Sequence, residues 1–98
     1  MMDEILAGRP FVLVDVYADW CEPCKWAEPV VTEALKSFDG KIALEKVNVD
    51  VHPDLARQFH IMSVPTLILF NDGTEVWRMR GFDTAPVLVK KFREFVKG

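Results

Sequence analysis

The 98-residue sequence predicts a single α/β domain, residues 1–98, built on a mixed four-stranded sheet with helices on both faces. Three observations support this prediction. Helical and strand patterns alternate along the first half of the chain, which is typical of parallel strands joined by helices. The third and fourth strand patterns are separated only by turn-forming residues, which favours an antiparallel hairpin. Half of the residues are hydrophobic and 11% are aromatic, enough for a core that needs no disulfide.

The first half of the chain contains two helices and two strands. Residues 3–8 favour a short helix that ends at a glycine. Phe11 to Ala18 (FVLVDVYA) is apolar on both faces and rich in valine, as a central parallel strand should be. From Pro23 to about Phe38 the pattern is helical. The apolar residues of this helix recur at fourfold spacing: Trp26, Val30, Ala34 and Phe38. Ile42 to Val49 is the second strand.

The second half contains a short helix, a hairpin and a terminal helix. The short helix covers Pro53 to about Phe59. Thr66 to Phe70 and Glu75 to Arg80 are strands, joined by the turn sequence Asn71-Asp72-Gly73-Thr74. Pro86 to Lys97 is the final helix, with Thr84 as its cap.

Charge and hydropathy exclude several classes of function. The formal net charge is −3 and no block of Lys or Arg stands out, which argues against nucleic acid or an anionic membrane as a main partner. The longest apolar runs, such as Phe11–Val14 and Leu67–Phe70, are far too short to span a membrane. The N-terminal Met1–Glu4 is acidic, and no apolar secretory segment follows it. We therefore expect a cytoplasmic protein.

The two cysteines of the sequence, Cys21 and Cys24, lie where the first strand gives way to the long helix. A disulfide between them would close a very small loop and so remove little entropy from the unfolded chain. A structural role is therefore weakly justified, although it stays open. Zinc needs four ligands, and His52 and His60 lack the usual spacing for a zinc finger. A thiol–disulfide redox role explains the pair best.

The position of each cysteine predicts its role. Cys21 lies at the start of the helix, where free backbone N–H groups and the helix dipole favour a thiolate. Cys24 is one turn further in and is expected to be less accessible. Lys25 adds positive charge nearby, and Pro23 stiffens the spacer. We interpret Cys21 as the nucleophile and Cys24 as the resolving thiol.

Asp15 interrupts the most apolar strand of the chain. A buried, unpaired carboxylate is unfavourable and tends to have a raised pKa, which suits a general base for a thiol. The alternative is a solvent-exposed Asp at a strand end. Lys46 taken alone is typical of a solvated strand face, and Met62, Trp26 and Trp77 are interpreted as packing residues.

Several segments of the chain together resemble the thioredoxin family. The run from Val14 to Lys25 is similar to the family's active-site strand and Cys-x-x-Cys motif, and Lys46–Asp50 is similar to its next strand. Val64-Pro65-Thr66 and the following Asn71-Asp72-Gly73 resemble its cis-proline loop and hairpin. Gly81 falls where the family has a loop glycine beside the active site.

The resemblance implies further roles for site residues. Asp15 would handle the proton of Cys24, and Lys46 would lie near Asp15 and modulate its pKa. Pro65 would be cis and would face the cysteines, and the backbone of Val64 would pair with an extended substrate segment. The residues expected to form a shallow apolar docking surface are Trp20, Pro23, Val64, Pro65, Gly81 and Phe82.

The sequence departs from the family pattern at three places. Glu22 replaces the usual glycine after the first cysteine, and we expect it to alter the choice of partner more than the mechanism. Tyr17 replaces the more usual tryptophan. The few residues before Asp3 cannot supply the family's first strand, so we expect four strands and an exposed edge on Ile42–Val49.

The resemblance implies a protein disulfide reductase that acts through a Cys21–Cys24 dithiol/disulfide. Pro23 rather than histidine precedes Cys24, which points to a reductant. We expect no bound cofactor and no metal, disulfide-containing protein substrates, a thioredoxin-reductase-type recycling enzyme and a monomer. The alternatives are a thioredoxin-fold binding or scaffold module, and a dedicated electron carrier for one partner, which Glu22 suggests.

Overall fold

The computed structural model describes residues 2–97, which form one four-stranded sheet with helices on both faces. Residues 2–97 contain four helices: α1 (Met2–Leu6), α2 (Glu22–Leu35), α3 (Pro53–Gln58) and α4 (Ala85–Arg93). The strands are β1 (Phe11–Tyr17), β2 (Ile42–Asn48), β3 (Thr66–Asn71) and β4 (Thr74–Arg80). A 3₁₀ turn, Lys36–Phe38, follows α2. The predicted α/β class with a mixed four-stranded sheet is confirmed.

The strand order is β2-β1-β3-β4, so β1 is central and β2 is an edge strand as predicted. β1 pairs in parallel with β2, whereas β3 is antiparallel to both β1 and β4. The parallel register pairs Asp15 with Lys46, which places these two residues side by side. The hairpin turns at Asp72 and Gly73, which have φ values of 49° and 84°. Two positive φ angles in a two-residue loop suit the right-handed twist of a hairpin.

Alternate residues of β1 support two different cores. On one face, Leu13 packs with Val31 of α2 and with Leu88 and Phe92 of α4. On the other face, Val12 and its neighbours pack against Met2 and Leu6 of α1 and against Leu55 of α3. Asp15 lies two residues after Leu13 and so projects toward the α2 face, because side chains alternate along a strand. The carboxyl group is thus directed into the layer that carries the cysteines.

The structure corrects two packing predictions. Trp26 is 63% exposed, and the buried residues of α2 are Cys24, Ala27, Val31 and Ala34. A strict fourfold repeat advances about 40° per step around a helix with 3.6 residues per turn, so the predicted stripe starts off the buried face at Trp26 and reaches that face only at Ala34. Met62 is also exposed, at 74%, in the loop before β3.

The ends of the terminal helix differ slightly from the prediction. α4 is regular only to Arg93 rather than to Lys97. Val96 nevertheless remains buried, and its N–H donates to the Phe92 carbonyl over 2.9 Å. As predicted, Thr84 caps the helix: its side-chain oxygen accepts from the Val87 N–H. Capping of this kind satisfies a donor that the first turn leaves free.

Candidate active site

Cys21 is the N-cap residue of α2 and is joined to Cys24 by a disulfide, with 5.3 Å between the two Cα atoms. Its backbone is extended, whereas Glu22 and Pro23 begin the helix. Proline suits this first turn because no intrahelical N–H bond is lost there. The Cys24 N–H donates to the Cys21 Sγ over 3.2 Å. This donor and the helix dipole together favour negative charge on the Cys21 sulfur once the disulfide is reduced.

The two cysteines differ in their surroundings rather than in their exposure. Cys21 is 4% exposed and Cys24 is 6% exposed, so the expectation that Cys24 is the less accessible residue is wrong. The Cys21 Sγ lies 3.7 Å from the Val64 carbonyl oxygen, beside the loop before β3. Cys24 instead lines a cleft with Asp15. The two cysteines therefore have different environments: Cys21 lies beside a peptide carbonyl, and Cys24 shares a cleft with a carboxyl group.

Asp15 is a buried carboxyl group without a hydrogen-bond partner for its Oδ1 atom among the residues described by the structure. Only 3% of the residue is exposed, which excludes the alternative of a solvated strand end. Burial raises its pKa from the usual 3.8 to about 6, although the charge of Lys46 lowers the pKa and that of Glu28 raises it further. The carboxyl group can therefore gain or lose a proton near neutral pH.

Lys46 lines the same cleft as Asp15, which has a volume of about 220 Å³. Its ammonium nitrogen is 2.8 Å from the Glu28 carboxylate and 4.7 Å from the centre of the Tyr17 ring. The hydrogen bond to Glu28 raises the pKa of Lys46, so the side chain stays protonated. Sequence reasoning missed Glu28. The available signal was its position four residues after Cys24, which places both on one helix face.

The loop before β3 completes the site. The Val64–Pro65 peptide bond is cis, and Pro65 is buried. The Gly81 N–H donates to the Pro65 carbonyl over 2.6 Å, so the end of β4 holds this loop in place. The Thr66 hydroxyl donates to the Ser63 carbonyl over 2.7 Å, and this hydrogen bond closes the loop across Val64 and Pro65.

An apolar groove of about 200 Å³ runs beside Val64. Trp20 is 68% exposed there, and its indole N–H donates to the Asp50 carboxylate over 2.9 Å. The other groove residues are Val49, Ala56, Ile61, Met62 and Ser63. Of the predicted docking residues, Trp20 and Val64 line this groove, whereas Pro23, Pro65, Gly81 and Phe82 lie outside it. Phe82 packs against the core on the α4 face.

Glu22, the unusual residue of the motif, forms an ion pair with Lys25 over 3.1 Å. Both side chains are more than half exposed. Exposed pairs of this kind contribute about 0–1 kcal/mol to stability. Glu22 therefore adds a negative charge to the surface around Cys21 without supporting the fold.

The thioredoxin family model matches residues 2–94 of the chain. The chain belongs to the thioredoxin family. A thioredoxin-like protein of Synechocystis is 40% identical over 95% of the chain and 90% of that relative. The thioredoxin of Mycobacterium tuberculosis is 38% identical over 95% of the chain and 80% of that relative. A mutant thioredoxin from Halobacterium salinarum superposes with a TM-score of 0.87 at 33% identity, over 99% of the chain and 84% of that structure.

Membership of the family defines the reaction class. The chain is a thiol–disulfide oxidoreductase with protein disulfide reductase activity, and family members work through their own disulfide without a cofactor. Within residues 2–97, no group of three or more His, Cys, Asp or Glu side chains is placed to hold a metal ion. In the same part of the chain, no helix is long and apolar enough to cross a membrane.

Burial of Asp15 predicts a specific pH dependence of stability. The pKa of Asp15 is about 6 in the folded protein, and 3.8 is the usual value, which we take for the unfolded chain. Between pH 3.8 and pH 6 the folded state therefore binds one more proton than the unfolded state. The contribution of the protonated Asp15 to the free energy of unfolding is complete below pH 3.8 and is lost as the pH rises through 6. This contribution is roughly 3 kcal/mol in total. Asp15→Asn should therefore gain stability relative to the wild type between pH 4 and pH 8, by up to that amount, in urea unfolding of the oxidised protein.

The control for this experiment is Asp19→Asn, because Asp19 lines the same cleft but is exposed. It should follow the wild type at each pH. A constant difference between Asp15→Asn and the wild type across this pH range would contradict the buried, titrating carboxyl group.

Proposed function

We propose that the chain reduces protein disulfides in the cytoplasm, with Cys21 as the attacking thiol and Cys24 as the resolving thiol. One observation carries this assignment: the Cys21 sulfur accepts a hydrogen bond at the start of α2, whereas Cys24 lines the cleft of Asp15. The first arrangement suits a stable thiolate, and the second suits a thiol that must be deprotonated during the reaction.

The reaction proceeds in two exchanges. The Cys21 thiolate attacks a substrate disulfide, forms a mixed disulfide and releases one substrate thiolate, which takes a proton from water. Asp15 then accepts the Cys24 proton, and the resulting thiolate attacks the Cys21 sulfur of the mixed disulfide. The second substrate sulfur leaves as a thiolate. The substrate gains two electrons, and the Cys21–Cys24 disulfide forms.

Docking uses the loop before β3 and the groove beside it. An extended substrate segment can pair with the Val64 backbone, whose carbonyl lies beside the Cys21 sulfur. Trp20 and Met62 offer exposed apolar surface next to that point. We also assign Pro23, Pro65, Gly81 and Phe82 to the face presented to the substrate, and Lys46 to the modulation of Asp15.

Recycling requires a donor of two electrons. A Mycobacterium leprae protein named bifunctional thioredoxin reductase/thioredoxin is 36% identical over 93 residues, and the match covers 20% of its length. The fusion of a thioredoxin reductase and a thioredoxin in that one chain supports a thioredoxin-reductase-type enzyme as the electron donor of this chain as well. The chain would then serve electron transport and cell redox homeostasis in a reducing compartment, as a monomeric domain over residues 1–98 without nucleic acid or membrane partners.

A dedicated electron carrier is the second candidate, and the exposed Glu22 favours it. A fixed negative charge next to the attacking sulfur repels acidic partners and attracts basic ones. The binding or scaffold module is not favoured, since the chain belongs to a family of disulfide reductases.

The cysteine roles predict the same loss of turnover but different trapped species for two matched variants. With insulin as the substrate and dithiothreitol as the reductant, Cys21→Ser should lower turnover to the rate of dithiothreitol alone. Cys24→Ser should also lose turnover, but when the reduced variant is mixed with insulin after removal of dithiothreitol, it should accumulate a mixed disulfide through Cys21, detectable by intact mass. Retained turnover in Cys21→Ser, or a trapped species through Cys24 in that variant, would reverse the assignment.

The effect of Glu22 can be measured as a ratio between partners. Glu22→Gly should raise kcat/KM for acidic disulfide proteins relative to basic ones several-fold, because rim charges act mainly on association. Glu33→Gly is the control, since Glu33 is an exposed helix residue paired with Lys36 away from the cysteines. An unchanged ratio in Glu22→Gly would count against a role in partner choice.

A further inference from the structure

Lys46 lies near two carboxyl groups and is bonded to only one of them. Its ammonium group pairs with Glu28 over 2.8 Å, and no hydrogen bond or ion pair links it to Asp15 in the described part of the chain. Asp15 and Lys46 are nonetheless direct partners in the register of β1 and β2. Neighbouring strands lie about 4.8 Å apart, which is within the reach of a lysine side chain. The ammonium group can therefore reach either carboxyl group, and in the structure it pairs with Glu28.

The charged and titratable groups around Asp15 come from β1, the loop after β1, β2 and α2. They are Lys46 of β2, Tyr17 of β1, Asp19 of the following loop, and Cys24, Lys25 and Glu28 of α2. On the remaining side, β3 places the apolar Leu67 opposite Asp15. Lys25 is paired with Glu22. Lys46 is the cation that faces Asp15 in the strand register and acts on its pKa, and the position of its ammonium group depends on Glu28.

We propose that Glu28 is a positioning residue that holds the Lys46 ammonium group away from Asp15 and so sets the pH range in which Asp15 accepts the proton of Cys24. The inference rests on the proposed function for its catalytic consequence. Its electrostatic part concerns only the folded, oxidised protein and stands without it.

Two effects of Glu28 act on Asp15 in the same direction. The Glu28 carboxylate itself disfavours a second negative charge in the cleft, and it pairs with Lys46, the cation opposite Asp15 in the strand register. Burial of Asp15 is therefore poorly offset, in agreement with its pKa of about 6. Without Glu28, the ammonium group can turn to Asp15, and an opposite charge at contact distance lowers a carboxyl pKa by about 1–3 units.

The direct test is the titration of the Asp15 carboxyl carbon by NMR in the oxidised protein, which requires no turnover. In Glu28→Gln the midpoint should fall by about one pH unit or more. Glu33→Gln, which removes the same charge from an exposed residue of α2 paired with Lys36, should leave the midpoint as in the wild type. Because the Glu28 side chain is 55% exposed, the variant should fold normally.

A double variant identifies Lys46 as the agent. If Glu28 acts by holding Lys46, then Glu28→Gln should lower the midpoint much less in a Lys46→Gln background than in the wild-type background. An equal fall of the midpoint in the two backgrounds would overturn this mechanism. The proposal would also be overturned if the Asp15 midpoint were the same in Glu28→Gln, Glu33→Gln and the wild type.

The pH profile of disulfide reduction tests the catalytic consequence. The acid limb of the profile should move to lower pH in Glu28→Gln by the same amount as the NMR midpoint. A shifted midpoint with an unshifted acid limb would overturn the link between Glu28 and proton transfer. Failure of the proposed function is distinguishable, because it would appear as turnover that survives Cys21→Ser, whatever the Asp15 titration shows.

Discussion

The burial of one carboxyl group, that of Asp15, is the constraint on which the rest of the site depends. The side chain projects from the central strand into the layer covered by α2, where its Oδ1 has no hydrogen-bond partner among the described residues. A group in this position destabilises the fold when it is ionised. The same property gives it a pKa of about 6 and makes it a proton acceptor near neutral pH. Reactivity is thus obtained at the expense of stability.

The fold brings three separate segments to the carboxyl end of β1. The strand leads directly into the loop that carries Cys21, and α2 begins there with its free N–H groups. The loop of Val64 and Pro65 approaches from the other side and is held by the Gly81 N–H. β2 supplies Lys46 through its parallel register with β1. In the proposed reaction, each segment has a different role: the first supplies the thiolate, the second the docking backbone and the third the charge that acts on Asp15.

The fold was largely predictable from the sequence because its signals are local and strong. The apolar run of β1, the helical pattern after Cys24 and the Asp72-Gly73 turn each determine one element. Trp26 was misassigned because a fourfold repeat does not follow the helical period. The exposed Met62 was misassigned because hydrophobicity alone does not place a loop residue.

The candidate site was predictable in its composition but not in its connections. The resemblance indicated that Lys46 lies near Asp15, and the register of β1 and β2 places them side by side. The ion pair with Glu28 was not predicted, because a long side chain chooses its partner by three-dimensional geometry that sequence spacing does not specify. The similar exposure of the two cysteines was not predicted for the same reason. Both cysteines are covered by segments that are distant in the sequence.

The central claim is that Asp15 takes the proton of Cys24 when the mixed disulfide is resolved. The most direct measurement is single-turnover release of a fluorescent peptide thiol from a Cys21 mixed disulfide that is formed and kept at acid pH, followed by stopped-flow jumps to pH 5 to pH 8. The release rate of the wild type should rise with pH around 6 and then level off as Asp15 becomes ionised. In Asp15→Asn the rate at pH 7 should fall about 100-fold or more, and this inflection should vanish. Equal rates and the same inflection in both proteins would contradict the claim.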